Sequence, residues 1–272
     1  MSNSVEEDVQ ILLFGTDGKI RAYESCKGKP SLTIQVPPIN LKCFMFCNTH
    51  DLSHISEVPE LMREHFLLHE NTKDYIASSG FKLKYVQDNY IELDISPIAC
   101  RIIMDEIVID FDKGLENTKF KLKAAYLLNA KAYVNFAGFP GNLTSVLNHR
   151  KFTTSHADKI ISKFWNESII LANNVIFPCE LSFVCLANQS RSLGKNNYTT
   201  ALVVEAELDG LTHYYPIYLP DIQAGKIYHI HELRITGPGA LEPLGLGAKC
   251  KATDCSVTIL DWKRQPQVDF EY

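Results

Sequence analysis

The sequence predicts an all-β protein of two tandem β-sandwich domains with few, short helices. Short apolar runs alternate with turn residues along most of the 272-residue chain. Two Asp-Gly pairs, Asp17-Gly18 and Asp209-Gly210, stand between apolar runs, which is a strong signal for a β-hairpin. Closely spaced strands separated by turns are typical of β-sandwiches rather than of alternating β-strands and helices.

The composition supports a packed core and argues against several functional classes. Apolar residues make up 46% of the chain and charged residues 22%, so a large core is available. The net charge of -5 provides no basic surface for nucleic acid or an anionic membrane. No apolar run of about 18 residues occurs, so no membrane-spanning segment is expected. The polar, acidic start lacks the apolar core of a signal peptide, which indicates a cytosolic protein or a signal already removed.

The eight cysteines show none of the usual metal or redox spacings. No Cys-x-x-Cys pair is present. Cys43 and Cys47 lie in an apolar run, where cysteine usually packs as a small hydrophobic side chain. Mostly free, buried thiols are therefore expected.

The N-terminal half is predicted to contain seven strands and one helix. Residues 8–15 and 20–23 form the first hairpin, residues 31–36 alternate in polarity, and residues 41–47 are wholly apolar, as in a core strand. Residues 57–69 have helical spacing, with Pro59 suited to the first turn. The remaining strands of this half are predicted over 81–86, 90–95 and 99–111, separated by turn residues.

The C-terminal half resumes the β pattern after a break near residues 113–118. This break divides the chain into predicted domains at 1–115 and 116–272. A Gly/Pro/Asn-rich loop is predicted over 135–155 and a short helix over 156–165. Strands are predicted over 120–128, 181–186, 199–208, 212–219, 227–236, 252–260 and 267–272.

The last predicted strand alternates cleanly in polarity. Val268, Phe270 and Tyr272 fall on one side, and polar residues fall on the other. A strand with an apolar face at a chain end either closes its own domain or docks into a partner's sheet. From the residues alone, closure of its own domain is the favoured interpretation.

Histidine pairs are the candidate metal ligands. His65 and His69 have the i, i+4 spacing of zinc ligands on the predicted helix, but the His-Glu-x-x-His order is absent, and a solvated face is favoured. His229 and His231 fall on one side of a predicted strand. A metal pair is one interpretation, and packing or exposure is favoured over it.

No catalytic constellation emerges from the sequence. Paired acids at Asp105-Glu106 and at Asp110 and Asp112 are insufficient for a glycosidase without further motifs. The Gly-x-Ser-x-Gly element is absent, and the Gly-rich segments over 237–247 read as turns rather than phosphate loops. The sequence therefore predicts no enzyme, no cofactor and no metal site.

Several segments in order resemble the major fimbrillins of the type V pili of Bacteroidia. The matching segments are DVQILLFGTDGKI, SLTIQVPPINLKCFMFCN, SPIACRIIMDEIVID, KLKAAYLLNAKAYV, HYYPIYLPDIQAGKIYHIHELRITGPG and VTILDWKRQPQVDFEY. The fifth segment is the closest match, to a family block that begins "YYPI-x-L". The lipoprotein signal and first strand of the family are missing here, Arg21 does not match the processing site, and eight cysteines exceed the expectation.

The resemblance implies two transthyretin-like β-sandwiches and a mode of assembly. Fimbrillins are exported as lipoproteins, and an Arg-specific protease removes the first strand, so that the empty groove accepts a C-terminal strand of another subunit. On this basis the donor-strand residues are expected to be Val257, Ile259, Trp262, Val268, Phe270 and Tyr272. Trp262, between the two runs, is interpreted as a hinge anchor rather than ordinary core.

The expected function is therefore a structural subunit of a cell-surface fimbria. Its partners would be other fimbrial subunits in a homopolymer, and its location the cell surface, with the outer membrane as the site of a lipoprotein precursor. The alternative is a tip or anchor fimbrillin, or an adhesin that binds a host surface protein or glycan. A β-sandwich hydrolase is the least supported class.

Overall fold

The computed structural model describes residues 8–28, 33–68, 71, 76–88, 90–135, 146–149, 151–153, 158–188, 199–219, 221–244, 253–262 and 267–271. These residues are almost entirely β-structure, which confirms the predicted all-β class. Two four-residue helices are present among them, α1 (Val58–Leu61) and α2 (Asp158–Ile161).

The strands, in chain order, are β1 (Asp8–Phe14), β2 (Ile20–Lys27), β3 (Thr33–Gln35), β4 (Leu41–Cys47), β5 (His65–Leu67), β6 (Ser78–Lys84), β7 (Tyr90–Glu92), β8 (Ser96–Pro97), β9 (Ala99–Ile109), β10 (Phe120–Leu128), β11 (Ala130–Lys131), β12 (Tyr133–Asn135), β13 (Val146–Leu147), β14 (Ser162–Leu171), β15 (Val175–Leu186), β16 (Ala201–Leu208), β17 (Leu211–Tyr218), β18 (Lys226–Ile235), β19 (Thr253–Asp261) and β20 (Gln267–Glu271).

A five-stranded sheet and a three-stranded sheet form the first sandwich. The five-stranded sheet has the order β2-β1-β4-β6-β8, and the predicted first hairpin pairs Phe14 with Ile20. The three-stranded sheet has the order β3-β20-β7. A buried cluster that includes Ile11 and Met45 of the first sheet and Ile34 and Ile91 of the second fills the space between them.

Two neighbouring strands of the five-stranded sheet, β1 and β4, are buried on both faces. Ile11 and Leu13 of β1 pack into the cluster between the two sheets, whereas Leu12 and Phe14 pack into the largest core of the molecule. Alternate residues of a strand point to opposite faces, so a strand between two cores must be apolar throughout. This accounts for the unbroken apolar run predicted as a core strand over 41–47.

Two larger sheets form the second sandwich, and the largest core lies between them. Their strand orders are β14-β10-β16-β17 and β13-β11-β15-β9-β18-β19. β9 runs antiparallel to β15 and parallel to β18, so it pairs with strands that lie beyond residue 116. The domain boundary at residue 115 remains a prediction, and this pairing joins residues on both sides of it in one sheet.

Two predicted helices are wrong over most of their length. The helix predicted over 57–69 is limited to α1, and β5 follows it because this segment pairs with β12. The helix predicted over 156–165 is limited to α2, and Ser162 already begins β14, which pairs with β10. Helices this short gain little from their own hydrogen bonds, so the pairing of neighbouring segments in sheets prevails. Within the described ranges, neither helix has the length and hydropathy that crossing a bilayer requires.

Candidate functional site

The C-terminal strand β20 is the middle strand of the three-stranded sheet. It runs parallel to β3, where Phe270 is paired with Ile34, and antiparallel to β7, where Val268 is paired with Ile91. The last strand of the chain therefore completes the sandwich formed by its first hundred residues.

The two strands that flank β20, β3 and β7, form the edges of a groove that β20 fills. In the three-stranded sheet, β3 and β7 are joined through β20, so its withdrawal leaves an edge with open hydrogen-bonding groups on each of them. Ile34 and Ile91 are only 2% and 3% exposed and pack on the cluster between the sheets. We call the space between β3 and β7 the acceptor groove.

The preceding strand, β19, is held on one side. It lies at the end of the six-stranded sheet and pairs with β18. Val257 is half-buried against the largest core, whereas Ile259 is 49% exposed. The remaining side chains described in β19 are exposed, so ladder hydrogen bonds contribute most of its attachment.

Trp262 lies immediately after β19. Its backbone N–H donates to the carbonyl of Gly225 at 2.8 Å, and the guanidinium carbon of Arg101 lies 4.5 Å from the centre of its ring. A guanidinium over an indole is an attractive arrangement. These contacts attach the chain to the second sandwich just before the segment that leads to β20.

Five of the six predicted donor-strand residues fall in two parts of the structure, and the sixth lies outside the described residues. Val257 and Ile259 lie in β19, with Trp262 directly after it. Val268 and Phe270 lie in β20, whose backbone is described. Tyr272 lies outside the described residues, and the donor role of all six remains a prediction.

Sequence reasoning missed the residues of the acceptor groove. The strands predicted over 31–36 and 90–95 correctly placed Ile34 and Ile91 in strands, but these local patterns carry no information about which strand lies alongside. The joining of β3 and β7 through the chain terminus has no local sequence signal.

The segment that most resembles fimbrillins forms a buried corner in the second sandwich. The hydroxyl of Tyr215, a fully buried residue, donates to the carbonyl of Gly237 at 3.1 Å. The hydroxyl of Tyr228 donates to the carbonyl of Asp221 at 2.8 Å and accepts from the N–H of Gln223 at 2.9 Å. These bonds fix the turns around β17 and β18, so this motif has a structural role.

One histidine pair lies against a carboxylate on the outer face of the six-stranded sheet. His229 Nε2 lies 2.9 Å from both carboxylate oxygens of Asp105, and His231 Nδ1 lies 3.3 Å from one of them. These hydrogen bonds, that from His229 first, lower the pKa of the Asp105 carboxyl below its ordinary value of 3.8. Asp105 was considered in the sequence as one of a pair of acids, and its position beside the two histidines requires the parallel pairing of β9 with β18.

A second histidine–carboxylate group lies in the first half of the chain. His50 Nε2 and His54 Nε2 contact different oxygens of Glu64, at 3.0 and 3.1 Å. His65, considered above as a helical zinc ligand, lies on strand β5 with its ring against Tyr133, and His69 lies outside the described residues. The helical spacing on which that metal interpretation depended is therefore absent.

Asp110, one of the other acids considered, is engaged in charge pairing. Asp110 accepts from Arg234 at 2.8 Å, and Arg234 also contacts Glu232 at 2.8 Å. In the Gly-rich segment, the carbonyl of Gly239 accepts a hydrogen bond from His213 Nδ1 at 3.0 Å, so this part of the segment packs on β17.

Comparison with solved structures shows the fold. A candidate cell adhesion protein from Parabacteroides distasonis superimposes with a TM-score of 0.70 at 12% identity, covering 94% of this chain and 88% of that one. A second candidate cell adhesion protein from the same organism gives 0.68 at 13% identity, covering 95% and 94%. A fimbrilin from Porphyromonas gingivalis gives 0.64 at 10% identity, covering 97% and 92%.

The resemblance to fimbrillins is confirmed at the level of the fold, over nearly the full length of each chain compared. No profile of a known protein family matches the sequence, and no curated protein matches it.

Proposed function

We propose that the protein is a structural subunit of a cell-surface fimbria and that it polymerises by inserting β20 into the acceptor groove of another copy. The observation that carries the proposal is the position of β20 in the middle of the sheet formed with β3 and β7. A strand at a chain end that completes a distant sheet can complete the same sheet in a neighbour, because the groove is identical in every copy.

The register supports insertion by an apolar face. Val268 and Phe270 are paired with Ile91 and Ile34, which are both buried. Residues directly opposite each other share a sheet face, so the apolar positions of β20 match the apolar side of the groove. Full burial of each large side chain contributes about 1.5–3 kcal/mol, so a few of them outweigh most surface contacts.

The attachment of β19 supports the extension that such an exchange requires. Because β19 is an edge strand with Ile259 half-exposed, it can separate from β18 at a lower cost than a central strand. Trp262 would serve as the point from which the tail leaves. Insertion of one copy into the next does not close on itself, so it produces a filament.

The proposal places the protein on the cell surface, with export as a lipoprotein precursor of the outer membrane. It assigns no catalytic activity. The fold shared with a fimbrilin and with candidate cell adhesion proteins supports this class of function. A tip or anchor subunit, or an adhesin for a host protein or glycan, is the alternative that the following test separates.

The test compares two variants, each expressed in the bacterium that makes the protein. Each variant adds one negative charge to β20, on the apolar face in one and on the polar face in the other. Phe270→Asp places a carboxylate on the apolar face, and Gln267→Asp places the same group on the polar face. We expect Phe270→Asp to abolish fimbriae seen by electron microscopy and the oligomer ladder on unheated gels, and Gln267→Asp to retain both.

A chain that lacks residues 267–272 extends the test. It keeps a groove and donates no strand, so its co-expression with the unaltered chain should shorten the filaments. Filaments that are unaffected by Phe270→Asp would refute strand insertion. A chain that never forms filaments but binds host cells through its surface would favour the adhesin.

A further inference from the structure

The group formed by Asp105, His229 and His231 has the composition of a transition-metal site. Each residue offers one ligand atom, and the three atoms lie within 4.8 Å of one another. Two imidazole nitrogens with one carboxylate oxygen are a ligand set typical of zinc sites with one open position. Magnesium and calcium prefer oxygen ligands throughout, so this set selects against them.

The strand arrangement brings these side chains to one face. His229 and His231 alternate on β18 with Tyr228 and Ile230, which are buried in the largest core, so the two imidazoles face outward. Asp105 lies on the adjacent strand β9, where the parallel register pairs Ile230 with Met104. The ligands therefore come from two neighbouring strands of a rigid sheet.

An irregularity in the sheet lies beside the group. The register between β18 and β19 shifts between Ile230 and Leu233, and both of these residues remain fully buried. The shift places His231 and Glu232 together at a β-bulge, which keeps both off the core. Bulges commonly reorient side chains at functional positions.

The two separations measured from Asp105 fit a shared metal ion with small adjustments, and the two imidazole nitrogens lie within 4.8 Å of each other. Nitrogen and oxygen ligands lie about 2.0–2.2 Å from zinc, so two ligands of a tetrahedral site are about 3.3–3.5 Å apart. The separations from Asp105 to His229 and to His231 are 2.9 and 3.3 Å. The side chain of His231 is 59% exposed, so it has room to turn toward a shared ion.

The surroundings suit a cation that is open to solvent. The carboxylate of Asp105 is 48% exposed, so water can fill the open position. Glu106 and Glu232 lie next to the ligands, and Glu232 is held by Arg234 at 2.8 Å. Without a metal ion, His229 Nε2 contacts both carboxylate oxygens of Asp105 at 2.9 Å, and metal binding would replace these contacts with bonds to the ion.

We propose that Asp105, His229 and His231 bind a single Zn²⁺ ion, which links β9 to β18 on the outer face of the six-stranded sheet. The proposal is independent of strand exchange, since none of the three residues belongs to β19, β20 or the acceptor groove.

The test is calorimetric titration of the full chain with zinc chloride, without a histidine tag and with Cys255→Ser to remove an exposed thiol. We expect one ion per chain and a zinc-dependent rise in Tm. His231→Ala and Asp105→Asn should each weaken binding by about tenfold or more. Cobalt substituted for zinc should give the visible spectrum of a tetrahedral site with imidazole ligands. Magnesium should neither bind stoichiometrically nor raise Tm.

His54→Ala provides the matched control. Its side chain is also 59% exposed and also contacts a carboxylate, in the group around Glu64. Zinc affinity that is unchanged in His54→Ala and lost in His231→Ala supports the site. Three results would overturn the proposal. They are the absence of stoichiometric zinc binding to the unaltered chain, zinc binding by the Asp105→Asn and His231→Ala variants that is as tight as in the unaltered chain, and a loss of affinity in His54→Ala as large as that in His231→Ala. Circular dichroism spectra that match the parent protein show that each variant is folded, so a loss of zinc affinity is not caused by unfolding.

Discussion

Among the glycines described, Gly239 has the least room for a side chain. A Cβ placed on it would lie 2.5 Å from the backbone oxygen of Tyr214 and 2.9 Å from the ring of Tyr215. Both neighbours are fixed, because Tyr215 is fully buried and the adjoining turn is bonded to β17. Close packing therefore requires a glycine at position 239.

Gly239→Ala should destabilise the protein by about 1–3 kcal/mol, because backbone and a buried ring must shift to admit the methyl group. Gly15→Ala is the control, since the atoms that its Cβ would meet belong to the side chains of Arg21 and Asp17, which can move. Urea unfolding of both variants measures the difference. Equal stability of the two variants would show that the turn is looser than described.

The cysteines that the structure describes are thiols, and most of them are buried, as predicted. Cys43 is fully buried, and burial raises the pKa of its thiol from 9.0 to about 12. Cys255 is exposed on β19. Cys100 and Cys185 are buried opposite each other on β9 and β15, with their sulfurs 3.0 Å apart.

Alkaline pH should weaken the fold through these thiols. The folded-state pKa of Cys43 is raised, so its contribution to stability is complete below pH 9 and is lost as pH rises toward 12. Cys43→Ala should reduce this alkaline loss, whereas Cys255→Ala should change it less. Unfolding curves between pH 8 and about 11 measure the slope, and an identical slope in all three proteins would contradict the assignment.

At the scale of elements, the strength of attachment distinguishes β19 from the strands beside it. β9 pairs on both sides and contributes Met104 and Ile107 to the largest core, whereas β19 pairs on one side and exposes Ile259. Strands with open edges and exposed side chains exchange their amide protons through low-cost local opening.

Amide hydrogen exchange should therefore be markedly faster in Thr253–Asp261 than in Ala99–Ile109. Mass spectrometry of peptides from the two segments measures the difference, and β10, another central strand, serves as a reference. Equal protection of β19 and β9 would mean that the tail is held too firmly to transfer between copies.

Strands were predictable where local pattern decides them, and helices were not. Residues 41–47 and 120–128 match β4 and β10 because unbroken or alternating apolar runs persist over a full strand. Residues 156–165 were predicted as a helix, but Ser162 begins β14, because pairing with β10 decides the conformation. Such pairing involves residues about forty positions apart along the chain, which no local pattern records.

The candidate sites were predictable only in part for the same reason. His229 and His231 stand out in the sequence because residues at i and i+2 of a strand lie on the same face. Asp105 could not be joined to them, since the parallel register of β9 and β18 is a property of the assembled sheet. Likewise, the alternation at Phe270 indicated an apolar face without indicating Ile34 as its neighbour.

At the scale of the whole molecule, the C-terminal tail connects the two sandwiches. It leaves the six-stranded sheet after Trp262 and enters the three-stranded sheet at Gln267. Under the proposed strand insertion, the same register of β20 against β3 and β7 would join two copies. Assembly by strand insertion therefore requires that the strand in each groove come from another copy.

Site-specific disulfide trapping between two chains measures this most directly. One chain carries Val268→Cys and the other Ile91→Cys, at positions directly opposite in the β20–β7 pairing, and both carry Cys26→Ser and Cys255→Ser. The chains are co-expressed, and fimbriae are collected and oxidised; each chain expressed alone is the control. Strand insertion between copies predicts a disulfide-linked dimer of the two variants that reducing agent dissolves. Intact fimbriae that yield only uncrosslinked monomers would contradict the account.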